Sequence, residues 1–227
     1  MAENKQEPDF DVSGAINKTE HFIDQNKKSL GIILGALLVA VAGYLFYQKI
    51  YVAGKEKEAS SLLFHAEQYF NADSLNLAIN GDGNNPGLEE LANDYSVSPS
   101  GNIARYYLGM AYFKKKEYDQ AIETLKSYDA KDEITGALVY AVIGDAYMEL
   151  NNTDEAISYY EMASKENPNT FTTPMMMMKW GNALEMKGEY KSAKKVYENI
   201  KKEYSTSSEG TQIDKYIARV DALAGSN

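Results

Sequence analysis

Hydrophobic and polar positions along the 227-residue chain fall into three regimes. Residues 1–28 mix charges with scattered apolar residues and show little periodicity. Residues 29–48 carry no charge, and residues 30–47 read LGIILGALLVAVAGYLFY. Beyond residue 55 apolar positions recur every three or four residues, the spacing of amphipathic helices. The first such stripe is Ala59, Leu62, Leu63, Ala66, Tyr69 and Phe70. Residues 74–79 and 88–95 predict shorter helices around the turn-rich GDGNNPG, and residues 208–223 predict a last amphipathic helix.

The uncharged stretch has the dimensions of a bilayer span. Twenty residues at a rise of about 1.5 Å cover about 30 Å, the thickness of a hydrocarbon core. A soluble helix of that length would show a polar face. Lys27, Lys28 and Lys49 flank the segment, and Tyr44, Phe46, Tyr47 and Tyr51 gather at its C-terminal boundary as an aromatic belt would. Ala40-Val41-Ala42 imitates a signal-peptidase site. A long acidic leader, apolar sequence through Val52 and the lack of a compact basic region oppose cleavage, so an uncleaved anchor is expected. Lys18, Lys27 and Lys28 on one side balance Lys49, Lys55 and Lys57 on the other, which leaves orientation open on charge alone. Gly31, Gly35, Ala36, Ala40 and Gly43 are candidate contacts for a second membrane helix, because small residues let backbones approach.

Between residues 101 and 205 the sequence nearly repeats itself three times. The copies read ARYYLGMAYFKKKEYDQAIETLKSY, LVYAVIGDAYMELNNTDEAISYYEMASKENP and MMMKWGNALEMKGEYKSAKKVYENIKKEY. Gly109, Gly144 and Gly181 align, and Ala121, Ala156 and Ala193 follow each by twelve residues. Leu125, Tyr160 and Tyr197 come four residues after each alanine. Each copy predicts two amphipathic helices, A and B, joined by a short polar turn. Glycine in A and alanine in B allow close packing, with aromatic residues filling the space around them. Pro168 is expected to end the second helix B, and Thr173-Pro174 to start the third helix A as N-cap and first turn. This period and pattern resemble tetratricopeptide (TPR) repeats, which implies an all-α helical-hairpin solenoid.

Composition narrows the chemistry. There is no cysteine, there are two histidines (His21 and His65), and the net charge is -10. These exclude thiol and zinc-thiolate chemistry and leave little for a catalytic triad. The acidic balance argues against nucleic-acid phosphates. Asp82 and Asn84 in the GDGNN segment imitate a calcium loop, but the twelfth position counted from Asn80 is Leu91 rather than a bidentate Glu. The expectation is a non-catalytic protein with no cofactor, no metal and no small-molecule substrate.

A TPR stack presents its helices A along a concave surface. Counting from the glycines, the inward residues of the first copy are Ile103, Tyr106, Met110 and Phe113. The second offers Leu138, Ala141, Asp145 and Met148, and the third Met175, Met178, Asn182 and Met186. Five of the nine methionines fall here. Such a groove is apolar, aromatic and adaptable, suited to an amphipathic helix or an unfolded apolar segment. Lys114 and Asn182 alone are too few for a carboxylate clamp. The alternative is that these methionines pack internally and the C-terminal helix fills the groove.

One span, a helix following it, the NGDGNNPG segment, three TPR copies and IDKYIARV together resemble the YfgM-type TPR membrane proteins of bacteria, in the form common in Bacteroidetes. That resemblance covers roughly residues 20–223. It implies a cytoplasmic N-terminus, an inner-membrane span, a periplasmic TPR domain, and ancillary work beside the Sec translocon. The implied partners are the translocon channel, a membrane-anchored periplasmic chaperone and exported clients. The resulting division is a flexible tail (1–28), a transmembrane helix (29–52), a helical linker or degenerate capping repeat (53–100), three TPR repeats (101–205) and a C-terminal capping helix (206–227). A structural scaffold of another envelope assembly is the alternative function, and a cytoplasm-facing anchor for soluble proteins a third.

Overall fold

The computed structural model describes residues 12–132 and 134–225, with side chains from His21 onward apart from residue 133. Among the described residues every regular element is a helix, and the one β-type pairing is the isolated bridge between Gly81 and Pro86. The chain divides into two compact units, Met1–Gly54 and Lys55–Asn227.

In the first unit α1 spans Val12–Phe46 and passes into π-helical hydrogen bonding over Tyr47–Val52. Ile32, Leu38, Val39 and Phe46 all lie exposed, and the helix is long and apolar enough to cross a membrane. Of the expected flexible tail, residues 1–11 lie outside the described residues. Residues 12–28 are helical, which corrects that expectation. The small residues lie on α1 with open space where side chains at Gly31, Gly35 and Gly43 would project. They do not form one stripe. At about 100° per residue, Gly31 and Gly35 sit about 80–180° around the helix from Ala36, Ala40 and Gly43.

In the second unit α2 (Ala53–Asn71), α3 (Leu75–Asn80) and α4 (Leu88–Asp94) precede three helical hairpins. These are α5 (Pro99–Lys114) with α6 (Tyr118–Lys126), α7 (Thr135–Glu149) with α8 (Thr153–Lys165), and α9 (Thr172–Met186) with α10 (Tyr190–Glu203). A short 3₁₀ turn, Gly210–Gln212, leads into α11 (Ile213–Ala224). Each helix B also packs on the next helix A, so the hairpins stack in sequence order, with α4 against α5 and α10 against α11.

The repeated glycines explain the stacking, though not through the backbone contact expected. A Cβ on Gly144 would come within 2.6 Å of the Tyr160 ring, and one on Gly109 within 2.5 Å of Leu125. A Cβ on Gly181 would likewise overlap the Tyr197 ring. The gap that glycine leaves in helix A is filled by the bulky residue four places after the alanine of helix B. Each A-to-B turn then needs one left-handed residue, and Lys116, Asn151 and Gly188 supply it at equivalent positions with φ of 65°, 58° and 85°. The following amide donates back to the helix (Glu117 N to Tyr112 O at 2.9 Å, Asn152 N to Tyr147 O at 2.8 Å, Glu189 N to Leu184 O at 2.8 Å), closing a Schellman-type cap.

The start of α9 differs from expectation. Asn169 Oδ1 accepts the backbone N–H groups of Phe171 (2.9 Å) and Thr172 (2.7 Å), so the helix begins at Thr172 and Pro174 sits inside its first turn. Thr173 Oγ1 instead accepts from Asn169 N at 2.9 Å. The corner before α5 recurs before α11. Tyr95-Ser-Val-Ser-Pro-Ser-Gly101 and Tyr204-Ser-Thr-Ser-Ser-Glu-Gly210 place Ser98 Oγ 3.0 Å from Gly101 N and Ser207 Oγ 2.9 Å from Gly210 N. By this match α11 is a fourth helix A, and α4 a shortened helix B.

The loop between α3 and α4 is tied by one carboxylate. Asp82 accepts backbone N–H groups from Asn85 (2.7 Å) and Asn84 (2.8 Å) and the Tyr69 hydroxyl of α2 (2.8 Å). These donors, the Asn85 amide foremost and then Tyr69, hold its carboxyl well below the usual carboxylate range. Among the described residues no cluster of three or more His, Asp or Glu side chains offers a metal site. Because the folded-state value is depressed, the stabilisation from Asp82 is present above about pH 4 and is lost as pH falls further. We expect Asp82→Asn to lower the neutral plateau of a melting-temperature profile and to flatten its acid limb, because the variant lacks the carboxylate whose contribution acid removes. Thermal melts between pH 2.5 and 7 check this.

Candidate protein-binding groove

The groove residues occupy equivalent places on α5, α7 and α9. Ile103, Leu138 and Met175 sit one turn into their helices, followed by Tyr106, Ala141 and Met178. None of these six is charged. Leu138 and Met175 pack together over buried Ala141, Ala163 and Met176. Tyr106 lies tilted beside Tyr128 with ring centroids 5.6 Å apart and, with Phe113, packs on Ile122, Leu125, Val139 and Ile143. In the run Met175–Met178 the middle two, Met176 and Met177, are buried, while Met175 and Met178 remain half-buried.

Further along the same helices the lining becomes polar after the first hairpin. Met110 and Phe113 of α5 are half-buried and apolar. On α7 the position of Met110 is held by Asp145, whose carboxylate accepts the Tyr160 hydroxyl (2.6 Å) and pairs with Lys179 of α9 (2.7 Å). On α9 that position is Asn182, whose Oδ1 accepts from the Tyr197 hydroxyl at 2.9 Å. Burial first, and then the neighbouring Asp145 and Glu185 carboxylates, push both phenols far up, so each remains a donor at neutral pH. Glu185 pairs with Arg219 of α11 at 2.7 Å. Arg219 also lies 4.8 Å over the Tyr216 ring. Asn182, Glu185, Met186, Tyr190, Tyr216, Arg219 and Leu223 line an open cavity of about 540 Å³ between α9 and α11.

The groove is therefore more polar at its C-terminal end than an apolar, methionine-rich reading describes, with Asp145 and Asn182, both counted among its inward residues, joined there by charged neighbours. Met148 packs inward with Ala156, Tyr160 and Trp180, and Met186 is the one groove methionine that is largely exposed, at 73%. The charged members missed from the sequence are Lys179, Glu185 and Arg219. Glu185 was legible, since it follows Gly181 by four residues as Phe113 follows Gly109 and Met148 follows Gly144. At the other end Lys114 bonds Asp73 at 2.8 Å and lies over the Phe70 ring, so it is engaged at the rim.

The family model for the tetratricopeptide repeat-like domain matches residues 20–223. The chain belongs to that family. A typical TPR-like domain is a non-catalytic scaffold for protein–protein interaction. The chain is also similar to "Uncharacterized protein ycf37" of Guillardia theta, 36% identical over 72 residues, which is 30% of this chain and 40% of that protein. The chain thus spans well under two thirds of the relative it matches.

Proposed function

We propose that the chain is a membrane-anchored TPR adaptor that receives polypeptide partners along its concave surface. The observation that supports it most is the uncharged lane formed by Ile103, Tyr106, Leu138, Ala141, Met175 and Met178 across three repeats. Beside that lane runs the polar lane of Asp145, Lys179, Asn182, Glu185 and Arg219. A partner helix with one apolar and one polar side complements both, reading as anchors at every third or fourth residue. In this reading α1 is the anchor, and Ala36, Ala40 and Gly43, which share one side of it, face another membrane helix. The domain lies in the periplasm beside the Sec translocon, taking clients from the channel and passing them to a membrane-anchored chaperone. The GDGNN loop and the IDKYIARV helix, the more distinctive parts of the YfgM-type resemblance, support that setting.

Two measurements test the proposal. A reporter fused after Asn227 is expected to be active in the periplasm only; activity in the cytoplasm removes the setting. Met110→Ser, Met175→Ser and Met178→Ser combined are expected to reduce crosslinking of the full chain to channel and chaperone subunits by about tenfold or more, since each lost apolar anchor costs about 1 kcal/mol or more. Undiminished crosslinking by a folded triple variant would reject the groove.

A further inference from the structure

One edge of the second unit can be traced through contacts of its own side chains. It starts where the unit starts: Glu56 accepts the Ser100 N–H and hydroxyl, both at 2.8 Å, and Lys55 lies 4.7 Å over the Tyr95 ring. Next, Asn102 at the head of α5 exchanges hydrogen bonds with the Asp129 backbone at 2.8 and 2.9 Å. Gly136 at the head of α7 then abuts Ala130 and Glu166. Helices α5 and α7 therefore begin on the edge that holds Lys55, and the α8–α9 connection follows along it.

That edge carries four exposed apolar residues, Val97 (45%), Ile103 (40%), Ile134 (47%) and Phe171 (69%). Ile134 and Phe171 occupy equivalent positions and are held outward by the same device. Asp132 Oδ1 accepts from the N–H groups of Ile134 and Thr135 (3.0 and 2.7 Å), as Asn169 does for Phe171 and Thr172. Among the described residues several charges near them are engaged: Glu56 and Asp132 in capping, Lys131 with Asp129, and Lys165 with Glu161. Rigid apolar studs among satisfied charges suit an interface that is greasy on one side and wet on the other.

Chain connectivity names the occupant. Three peptide units separate Val52 from Lys55, a reach of about 11 Å at most. Any surface that the apolar segment enters is thus held within that distance of Lys55, at a high effective concentration. We infer that this edge rests on the lipid surface, with Phe171 and Ile134 inserted among headgroups and upper acyl chains. The inference depends on reading α1 as a membrane anchor.

The test uses the full chain in phosphatidylcholine vesicles. Trp180, the single tryptophan, is replaced by Phe, and one reporter is introduced as Phe171→Trp, Ile134→Trp or, at the opposite end of α7, Leu150→Trp. An insertion depth of about 5–10 Å brings the edge reporters against acyl bromines placed just below the headgroups. Brominated lipid is expected to lower emission of Phe171→Trp and Ile134→Trp at least about twofold, while Leu150→Trp stays unchanged. Circular dichroism confirms folding, and flotation after an alkaline wash scores anchoring on the same samples. Protein that floats with unquenched edge reporters overturns the inference and spares the anchor. Protein that does not float overturns both. Equal quenching of Leu150→Trp, or edge burial that requires an added protein instead of lipid, overturns the assignment of this edge to lipid.

Discussion

Tyr197→Ala is expected to lower the unfolding free energy of the repeat unit by about 3–5 kcal/mol, the range for deleting a buried aromatic side chain. Tyr197 is fully buried among Met177, Leu184, Val196, Ile200, Ile213 and Val220, so its ring joins α9, α10 and α11 at one point. It also fills the gap that Gly181 leaves in α9, and its hydroxyl donates to Asn182 and Glu185. Tyr197→Phe keeps the ring and is expected to cost about 1 kcal/mol, the net value of a hydrogen bond. The ring's contribution should be level at neutral pH. Because the folded-state phenol is raised, it declines only as pH climbs past about 10, where the unfolded chain ionises. Gly181→Ala alone is expected to cost about 1–3 kcal/mol through overlap with the ring. Combined with Tyr197→Ala it should cost less than the sum, because the atoms that overlap are gone. Denaturant unfolding in micelles, followed by Trp180 emission, measures all four. Strict additivity would show that ring and glycine do not depend on one another.

This coupling is why the architecture was legible before any coordinates. A missing side chain in helix A and a bulky one in helix B are two halves of one steric requirement, so Gly109 with Leu125, Gly144 with Tyr160 and Gly181 with Tyr197 recur in register. Helix starts were less legible because the caps lie outside the helices. Asn169 and Asp132 accept amides two and three residues ahead, and those bonds, rather than Thr173-Pro174, decide where α9 begins. The groove was legible in its first half, where one helix supplies each lining residue. In its second half the polarity depends on residues that meet only in space. Lys179 reaches back 34 positions to Asp145, and Arg219 reaches Glu185 from a helix beyond the three recognisable copies. A count that stops at residue 205 cannot find Arg219. The signal present was the shared Tyr-Ser-x-Ser-x-x-Gly corner, which marks α11 as another helix A and so places Arg219, nine residues after Gly210 as Met110 is after Gly101, in the groove.

That shared corner yields a second large effect, in which identical local damage has unequal consequences. A Cβ on Gly101 would overlap the carbonyl oxygen of Tyr95, and one on Gly210 that of Tyr204. In both cases backbone, not a flexible side chain, must move, so Gly101→Ala and Gly210→Ala are each expected to disrupt their corner by about 3 kcal/mol, at the upper end for overpacking. In a linear stack each repeat is stabilised by its neighbours. Gly101 lies between the α2–α4 cap and the first hairpin, so its variant weakens an internal junction and is expected to lower the midpoint of the whole unit. Gly210 joins only α11 to α10. Its variant should release α11 first, uncovering Ile213 and Val220 together with the Arg219–Glu185 pair, while the α5–α8 hairpins keep their protection. Amide hydrogen exchange separates the outcomes. We expect fast exchange confined to residues 213–224 and the adjoining face of α10 for Gly210→Ala, and faster exchange across α4–α6 for Gly101→Ala. Equal loss of protection throughout the stack in both variants would mean that the unit unfolds as one block, and that nearest-neighbour coupling does not govern it. Release of α11 also opens the C-terminal end of the groove, because Arg219 no longer neutralises Glu185. The Gly210 variant should therefore show stronger crosslinking of basic, amphipathic partners at that end, set against unchanged contact along the apolar lane.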